Sequence, residues 1–328
     1  MPAIDDNLLI SIAKLYYVEG LSQQEIADRI SVSRPTVSNL LKRCKEEGIV
    51  EIRIKETNSL LYALQREIKS SFGLREVVVV PSSPDEWITV EETGRAAAEL
   101  LVRSLKDGTR IGISWGVTTY KAVLALNVAP KYQNIEVRQL VGALGSINPI
   151  YDGYELARTL ALKLNGSFST IQAPGVVSTI EAKETFMREP GIAAAIEKAR
   201  EVDIAILSVS PDEPDYSSLV RAGFITREES AEISRKGSVG HSCCIHFDID
   251  GNNLPSPLNE RIVGITIDDL RQIPEVILAA CGTVKSNAIL GALRSGLFHI
   301  LAIDEAAALK LLAETKKSGA RSSSKPVQ

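Results

Sequence analysis

The sequence lacks the marks of several protein classes. Its four cysteines have neither the Cys-x-x-Cys nor the Cys/His spacing of a zinc site, and its net charge of −4 leaves no overall basic excess for nucleic acid. No apolar run reaches the roughly 18 residues of a membrane span, and no N-terminal segment has the pattern of a signal peptide. We therefore expect a cytoplasmic protein whose cysteines are packing residues and whose nucleic-acid contacts are confined to a local patch.

The common phosphate-binding loops are also missing. No Gly-x-Gly-x-x-Gly and no Walker A pattern occurs, so no nucleotide cofactor is expected. What is present is a composition typical of a folded globular protein, with 45% hydrophobic and 24% charged residues. A length of 328 residues exceeds that of one typical domain, so two domains are predicted.

The segment up to about residue 55 begins with three short helical patterns, in which apolar residues recur at helical spacing. Ser22 stands three residues before Glu25, a capping-box arrangement that begins the second helix. Ser33 suits the N-cap of the third helix, because a proline follows it at the second helical position. The second and third helices are joined by a hinge at residues 30–33.

A short strand is predicted after the third helix, where Val50, Ile52 and Ile54 alternate with polar residues. Two hinged helices followed by such a strand are typical of a winged helix-turn-helix, a DNA-binding motif. The alternative is an ordinary core hairpin whose solvated face happens to be cationic. The combination of caps, hinge, strand and polar helix face favours the DNA-binding interpretation.

The third helix carries side chains that suit contacts with bases and phosphates. In a helix-turn-helix, the second helix of the pair lies in the major groove with its N-terminal residues against base edges. Arginine can bind guanine through two hydrogen bonds, and asparagine can bind adenine in the same way. The predicted DNA-binding residues are Gln23, Ser33, Arg34, Thr36, Ser38, Asn39, Lys42 and Arg43.

Residues 58–72 predict one further helix, along which leucine, isoleucine and phenylalanine form a stripe. The stripe is either a linker helix or dimer seam, or it docks against the domain that follows. It is short for a stable coiled coil. Dimerisation is expected in either case, because a single DNA-reading helix makes too few contacts for useful specificity.

From residue 76 onward, short apolar runs alternate with helices, most of them rich in alanine. Runs that are apolar throughout are typical of parallel strands covered on both faces. The predicted strands are residues 76–80, 109–114, 134–141, 202–209, 275–280 and 298–303. The predicted fold class is therefore α/β with a mainly parallel sheet, and ligands are expected beyond the carboxyl ends of its strands.

Glycine-containing turns follow three of these strands. Residues 114–119 end a strand with a glycine and place two hydroxyls at the start of a helix, a position that suits an anion. Residues 281–287 repeat the arrangement with a lysine, and residues 141–146 contain glycines that allow close backbone approach. Each glycine alone can serve only a tight connection, but three such turns in one sheet favour a ligand site.

Residues 237–254 carry two histidines and two aspartates. Asp250-Gly251 predicts a hairpin turn, whereas Asp248 is a candidate to accept hydrogen bonds from the hydroxyls of a sugar. His241 and His246 lie five residues apart in a predicted extended segment, so they are expected to face opposite sides. No metal site is therefore expected here.

These motifs occur in an order that resembles the SorC/DeoR-type family of bacterial sugar-responsive transcriptional regulators. The resemblance rests on the segment SQQEIADRISVSRPTVSNLLKRCKEEGIVEIRI, followed by ISWGVTTY, QLVGALGS, APGVV, HFDIDG, LNERIVGI and CGTVKSNAI. It implies a winged helix-turn-helix joined to an effector domain that resembles the phosphosugar isomerase/deaminase fold. It further implies a homodimer or homotetramer that binds double-stranded operator DNA, and a sugar, polyol or sugar phosphate that alters this binding.

The resemblance also assigns effector contacts by motif position. These are Gly116, Thr118, Thr119, Gly142, Asp248 and Lys285. Val141 stands where some relatives would need a lysine for a covalent sugar adduct, so reversible, non-covalent binding is expected. Asn39 stands where relatives often have arginine, and His241 stands where an acidic residue usually follows glycine. These departures bear on the operator sequence and on the identity of the effector.

The expected organisation assigns residues 1–56 to DNA binding, 57–75 to a linker or oligomerisation helix, 76–317 to the effector domain and 318–328 to a disordered tail. The expected function is regulation of a carbohydrate-utilisation operon, without cofactor or enzymatic activity. An effector that binds two arrangements of the sheet domain unequally would change the spacing of paired DNA-reading helices. The alternatives are an isomerase or deaminase with Asp248 as its general base, and a sheet domain used only for assembly.

Overall fold

A computed structural model describes residues 6–50, 59–127, 132–143, 145, 149–256 and 258–322. Its contacts divide the chain into two units, Met1–Thr57 and Asn58–Gln328. The predicted wing strand falls mainly on residues 51–58, outside the described residues.

The first unit contains the helices α1 (Asp6–Tyr17), α2 (Gln23–Arg29) and α3 (Arg34–Glu46). Ser22 and Glu25 form the predicted capping box, and the Ser33 hydroxyl accepts a hydrogen bond from the backbone N–H of Thr36. Both predicted helix starts are thus confirmed. In the hinge between α2 and α3, Ser31 adopts a left-handed φ of 55°. The core of this unit consists of Leu9, Ile12, Ala13, Ile26, Ala27, Val37, Leu40, Leu41 and Cys44.

The second unit alternates strands and helices. Its elements are α4 (Ser59–Phe72), β1 (Glu76–Val80), α5 (Glu86–Ser104), β2 (Arg110–Ile113), α6 (Val117–Ala125), β3 (Glu136–Gln139), α7 (Gly153–Lys163), β4 (Ser167–Ser169), α8 (Ile180–Arg188), α9 (Pro190–Arg200), β5 (Ile204–Leu207), α10 (Ser218–Arg221), α11 (Arg227–Arg235), β6 (Ser238–Ser242), β7 (Ile245–Asp248), α12 (Ile267–Arg271), β8 (Glu275–Ala280), α13 (Ser286–Arg294), β9 (Ile300–Asp304) and α14 (Glu305–Ser322).

Seven of the strands form one parallel sheet in the order β1-β9-β8-β5-β2-β3-β4. The strands that follow β2 in the sequence lie on both sides of it. β3 and β4 lie on one side, and β5, β8 and β9 lie on the other. Both faces are covered, because Val77 and Val79 pack into one apolar cluster while Val78 and Val80 pack into another. This confirms the prediction of a mainly parallel α/β domain.

Each predicted apolar run contains a strand of the sheet, and the strands missed by the sequence are the polar ones. β4 is a three-residue edge strand of Ser-Phe-Ser, in which alternation is too short to recognise. β6 and β7 form a separate antiparallel hairpin. Long apolar stretches thus predicted six of the seven strands of the parallel sheet, whereas the mostly buried hairpin strands β6 and β7 were missed.

The apolar stripe of α4 docks on the sheet domain. Leu61, Leu64 and Ile68 are buried in the same cluster as Val77 of β1, whereas Tyr62 remains exposed. A further role of α4 as an oligomerisation seam stays a prediction.

At the other end of the chain, α14 continues as far as Ser322, so residues 318–322 of the predicted tail are helical. Residues 323–328 lie outside the described part of the chain. None of the helices in the described ranges combines the length and the hydropathy that a membrane crossing needs.

Replacement of Gly94 by alanine tests the close packing of α5 on α6. A β-carbon at Gly94 would lie 2.6 Å from Cβ of Lys121 and 2.8 Å from the backbone nitrogen of Ala122. Alanine normally stabilises a helix interior relative to glycine by roughly 0.5–1 kcal/mol. Here overpacking reverses the sign, and we expect Gly94→Ala to lower the free energy of unfolding by about 1–3 kcal/mol in urea denaturation.

Gly191 provides the matched control, because it lies in the first turn of α9 with open space where a β-carbon would be. Gly191→Ala is expected to leave stability unchanged or to raise it by a few tenths of a kcal/mol, roughly the gain from a less flexible unfolded chain. If Gly94→Ala were as stable as Gly191→Ala, the two helices would not approach each other as described.

Candidate functional site

A cavity of about 430 Å³ lies at the carboxyl ends of β2, β5 and β8. Its volume falls in the range of about 300–1,000 Å³ that is typical of small-ligand sites. The order of the strands reverses between β2 and β5, and ligands of open parallel sheets bind at such a reversal. The lining residues are Ser114, Trp115, Gly116, Val117, Tyr151, Ser208, Val209, Ser210, Ser218, Arg221, Ala222, His241, Ser242, Cys243 and Lys285.

Gly116 shapes the part of this wall that follows β2. Its φ is +147°, and a β-carbon there would lie 2.3 Å from the Ser208 hydroxyl oxygen. Glycine is therefore favoured both by the backbone conformation and by the close approach of the Ser208 side chain. The Gly116 N–H donates to the Tyr151 carbonyl at 3.3 Å, so this amide is already engaged by the chain itself.

Thr118 and Thr119 lie behind the cavity rather than on its surface. Both are buried in the first turn of α6, and neither lines the cavity. The Thr118 hydroxyl lies 3.9 Å from the Cys281 sulfur, and the Thr119 hydroxyl has no hydrogen-bond partner among the described residues. Thr118 and Thr119, which were predicted to contact the effector, therefore lie beneath the Gly116 turn.

Two cationic side chains line the cavity, the predicted Lys285 and the unpredicted Arg221. Lys285 follows β8 and is half-buried, whereas Arg221 ends the short helix α10. Burial lowers the pKa of the Lys285 ammonium, and the positive charge of Arg221 lowers it further. Neither side chain forms an ion pair with any carboxylate of the described residues, so the pair has unused capacity for an anion.

Gly142 and Asp248 are not brought to this cavity. A β-carbon at Gly142 would lie 2.4 Å from the Ala173 carbonyl oxygen, so the glycine serves close packing. The described residues that follow it, Ala143 and Gly145, line a second cavity of about 510 Å³. The Asp248 carboxylate instead accepts hydrogen bonds from Asn252 and from the backbone N–H of Asp250, in the turn after β7.

The histidines of the β6–β7 hairpin face the same side, which corrects the sequence-based expectation. Cys243 and Cys244, with φ of 51° and 62°, form the turn that reverses the chain between them. His241 and His246 are therefore cross-strand partners with ring centroids 5.2 Å apart. The expectation was wrong because alternation along one strand does not apply across a turn. The absence of a metal site inferred from it stays a prediction.

Both imidazoles are hydrogen bonded to one buried carboxylate, that of Asp212 in the loop after β5. Nδ1 of His241 lies 2.7 Å from Oδ1, and Nδ1 of His246 lies 2.9 Å from Oδ2. Burial by itself would raise the pKa of Asp212, but the two histidines outweigh it and hold this pKa well below its ordinary value. Burial in turn lowers the pKa of His241. The carboxylate is thus ionised, and it accepts a hydrogen bond from each ring.

Sequence reasoning missed Asp212, Ser218 and Arg221. They lie in an irregular stretch and a four-residue helix, where no apolar period or glycine turn marks them. The only signal was the position of this stretch directly after the strand β5, where polar residues of a parallel sheet are expected to bind ligands. The cysteine interpretation is confirmed, since all four are buried and free of disulfides. Burial raises the pKa of Cys243, on the cavity wall, to about 11.

In the first unit, α3 presents a polar face of the kind predicted. Arg34, Ser38 and Asn39 are exposed, while the apolar side of the helix is buried in the core. Two predicted phosphate contacts already have partners: Lys42 lies 3.5 Å from Glu46, and Arg43 pairs with Glu47. Such exposed pairs are worth only about 0–1 kcal/mol, so DNA phosphates can replace them. Ser33 and Thr36 are also exposed, and Gln23 is half-buried at the start of α2.

Comparison with known proteins gives matches to both units. Residues 57–313 match the family model described as "Putative sugar-binding domain", and residues 14–57 match that of the MarR family. The chain is 34% identical over 308 residues to the deoxyribonucleoside regulator of Bacillus subtilis (strain 168), which covers 93% of this chain and 97% of that protein. It is 29% identical over 322 residues to the sorbitol operon regulator of Klebsiella pneumoniae, covering 94% and 98%.

The fold is also similar to a solved full-length structure. The crystal structure of the sorbitol operon regulator SorC from Klebsiella pneumoniae aligns with a TM-score of 0.87 at 27% identity, over 94% of this chain and 99% of that one. A probable sor operon regulator from Shigella flexneri aligns with a TM-score of 0.71 at 26% identity, over 77% and 99%. These proteins are named as regulators, not as isomerases or deaminases.

The buried histidine cluster predicts a pH dependence of stability. Because the pKa of His241 is lowered from 6.5 on folding, the unfolded chain binds a proton below that pH while the folded chain does not. The free energy of unfolding is therefore expected to fall as pH drops below 6.5, by at most about 1.4 kcal/mol per pH unit for this group. Asp212 adds a loss of the same sign below 3.8. Urea denaturation at pH 7.5, 6.0 and 5.0 measures the slope.

His241→Gln serves as the comparison variant, because glutamine keeps a donor for Asp212 but does not titrate. Its slope between pH 7.5 and 5.0 is expected to be smaller than that of the wild type. Some slope remains, since burial also lowers the pKa of His299. Identical slopes in the two proteins would show that His241 does not supply the dependence.

Proposed function

Since this chain belongs to the SorC/DeoR-type family of sugar-binding transcriptional regulators, we propose that it regulates a carbohydrate-utilisation operon in response to a sugar phosphate. The effector binds non-covalently in the cavity at the ends of β2, β5 and β8. Double-stranded operator DNA binds to the polar face of α3. Because it binds operator DNA, the protein is proposed to act in the cytoplasm.

The observation that carries the choice of a phosphorylated effector is the pair of unpartnered cations, Arg221 and Lys285, on the cavity wall. A half-buried ammonium costs free energy unless an anion compensates it, and the lowered pKa of Lys285 reflects that cost. A phosphate group supplies two negative charges and several acceptor oxygens to this pair. The Ser208 side chain on the same wall suits a hydroxyl of a sugar.

The link from effector to DNA proceeds through the assembly of several copies. We propose a homodimer or homotetramer, because one α3 helix makes too few contacts to select an operator. α4 begins the sheet domain and packs against β1, so a change in that domain moves the point at which the DNA-binding unit is attached. The effector acts only if it binds the DNA-competent and DNA-incompetent arrangements unequally.

A thermal-shift screen with paired neutral and phosphorylated sugars tests this function, and Lys285→Ala assigns the site. A ligand at one hundred times its Kd stabilises the folded protein by about 2.7 kcal/mol. We expect shifts with pentose or hexose phosphates and not with the free sugars. Lys285→Ala should weaken sugar-phosphate binding by at least about tenfold, the effect of a lost hydrogen bond to a charged group. Operator affinity without effector should be unchanged.

Lys106→Ala is the matched control, since Lys106 is an exposed lysine that lines neither cavity. It removes the same charge and should leave the response intact. Equal shifts with free sugars and their phosphates would contradict a phosphorylated effector. A full response in Lys285→Ala would remove this side chain from the site.

The DNA-binding face is tested by separating base contacts from phosphate contacts. Arg34→Ala or Asn39→Ala should reduce the preference for operator over random DNA by about 1–3 kcal/mol, because these side chains can each form two hydrogen bonds with one base. Lys42→Ala should weaken both complexes about equally and make binding less sensitive to salt. Titrations of labelled operator and random duplexes at two salt concentrations measure both effects. The opposite pattern would show that the helix face is assigned wrongly.

A further inference from the structure

The cavity wall contains a chain of hydrogen bonds that begins at a buried charge and ends at a serine on the cavity surface. The Ser218 hydroxyl oxygen lies 3.0 Å from Nε2 of His241, and Nδ1 of His241 lies 2.7 Å from Asp212. Ser218 and His241 line the cavity, whereas Asp212 is buried behind them. The three residues come from α10, β6 and the loop after β5, so the chain exists only in the folded domain.

The order of donors and acceptors along this chain is fixed by the carboxylate. An ionised carboxylate only accepts hydrogen bonds, so Nδ1 of His241 carries the proton that faces Asp212. Burial lowers the pKa of His241 and so favours the neutral ring, in which Nε2 is an acceptor once Nδ1 carries the proton. The Ser218 hydroxyl consequently donates a hydrogen bond to Nε2. Its oxygen lone pairs remain for a ligand in the cavity.

Ser218 lies within one helical turn of Arg221, one of the two cationic residues of the cavity. Ser218 and Arg221 are three residues apart in α10, on the same side of one helical turn, and both line the cavity. Side chains at this spacing begin roughly 5–6 Å apart. A single small sugar can therefore reach Ser218 with a hydroxyl while its phosphate meets Arg221 and Lys285.

We propose that Ser218 is an acceptor-only site for a hydroxyl group of the effector, held in that state by His241 and Asp212. The inference rests on the proposed sugar-phosphate function and adds a requirement to it: the ligand must present a hydroxyl donor at Ser218 as well as an anionic group at the cations. A group that only accepts hydrogen bonds finds no donor at Ser218. The hydrogen-bonded chain Ser218–His241–Asp212 thus selects a hydroxylated sugar phosphate over an anion of similar charge without a hydroxyl.

Calorimetric titration of the full chain with inorganic phosphate and with sugar phosphates tests the proposal. The sugar probes are ribose 5-phosphate, 2-deoxyribose 5-phosphate, glucose 6-phosphate and sorbitol 6-phosphate. In Ser218→Ala, the Kd of the best sugar phosphate is expected to rise about tenfold, as for one lost hydrogen bond, while the Kd of inorganic phosphate stays the same. Ser218→Thr keeps the hydroxyl and should keep most of the preference.

Two further variants distinguish loss of the Ser218–His241–Asp212 hydrogen bonds from a general loss of folded structure. His241→Gln removes the fixed acceptor and should reduce the same preference, with folding checked by thermal unfolding. Ser178→Ala is the matched serine control, because Ser178 is exposed and lines neither cavity. It should leave both dissociation constants unchanged.

Three outcomes would overturn the inference alone. Unchanged sugar-phosphate binding in Ser218→Ala would remove Ser218 from the site, and equal weakening of inorganic phosphate would show a loss of structure instead of a lost hydroxyl contact. Rapid labelling of Ser218 by a fluorophosphonate, lost in His241→Gln, would show that the Ser218–His241–Asp212 chain activates a nucleophile, as in serine hydrolases. If no sugar phosphate binds the wild type more tightly than inorganic phosphate, the proposed function fails and this inference fails with it.

Discussion

Burial of the parallel sheet on both faces forces the polar groups of the effector domain to one edge. Every residue of β5 and nearly every residue of β8 is buried in the packed core. Neither strand therefore has side chains along its length that can contact a ligand. Parallel strands all point the same way, and the residues that follow them therefore meet. Because the strand order reverses between β2 and β5, the loops there diverge and leave room for a cavity. Gly116 and Lys285 reach the cavity for this reason.

The second constraint is the buried charge of Asp212. A buried carboxylate requires several donors, and it receives them from Ser238 and His241 of β6 and from His246 of β7. These bonds tie the hairpin to the loop after β5, and the two together form much of one wall of the cavity. The wall is thus ordered before any ligand arrives, which lowers the entropy cost of binding. Stability and recognition depend here on the same hydrogen bonds.

Sequence patterns predicted the parts of this protein that depend on local or repetitive rules. β1 and β8 begin and end where their apolar runs do, and the caps at Ser22 and Ser33 follow from neighbouring residues. The hairpin was missed because Cys243 and Cys244 adopt positive φ without the glycine or asparagine that usually marks such a turn. The proximity of Asp212 to His241 spans 29 residues, and no periodic pattern encodes it. The sequence therefore predicted the edge of the sheet at which the cavity lies, but only some of the residues that line it.

The sharing of one carboxylate by two imidazoles also constrains how this protein can change over evolutionary time. Loss of either ring leaves a buried negative charge short of a donor, and loss of the carboxylate leaves two buried rings without an acceptor; breaking a buried charged cluster one member at a time is strongly destabilising. Intermediate sequences are therefore disfavoured even where both end states fold. Asp212, His241 and His246 should accordingly be inherited as a set, so that descendants carry all three or have replaced all three.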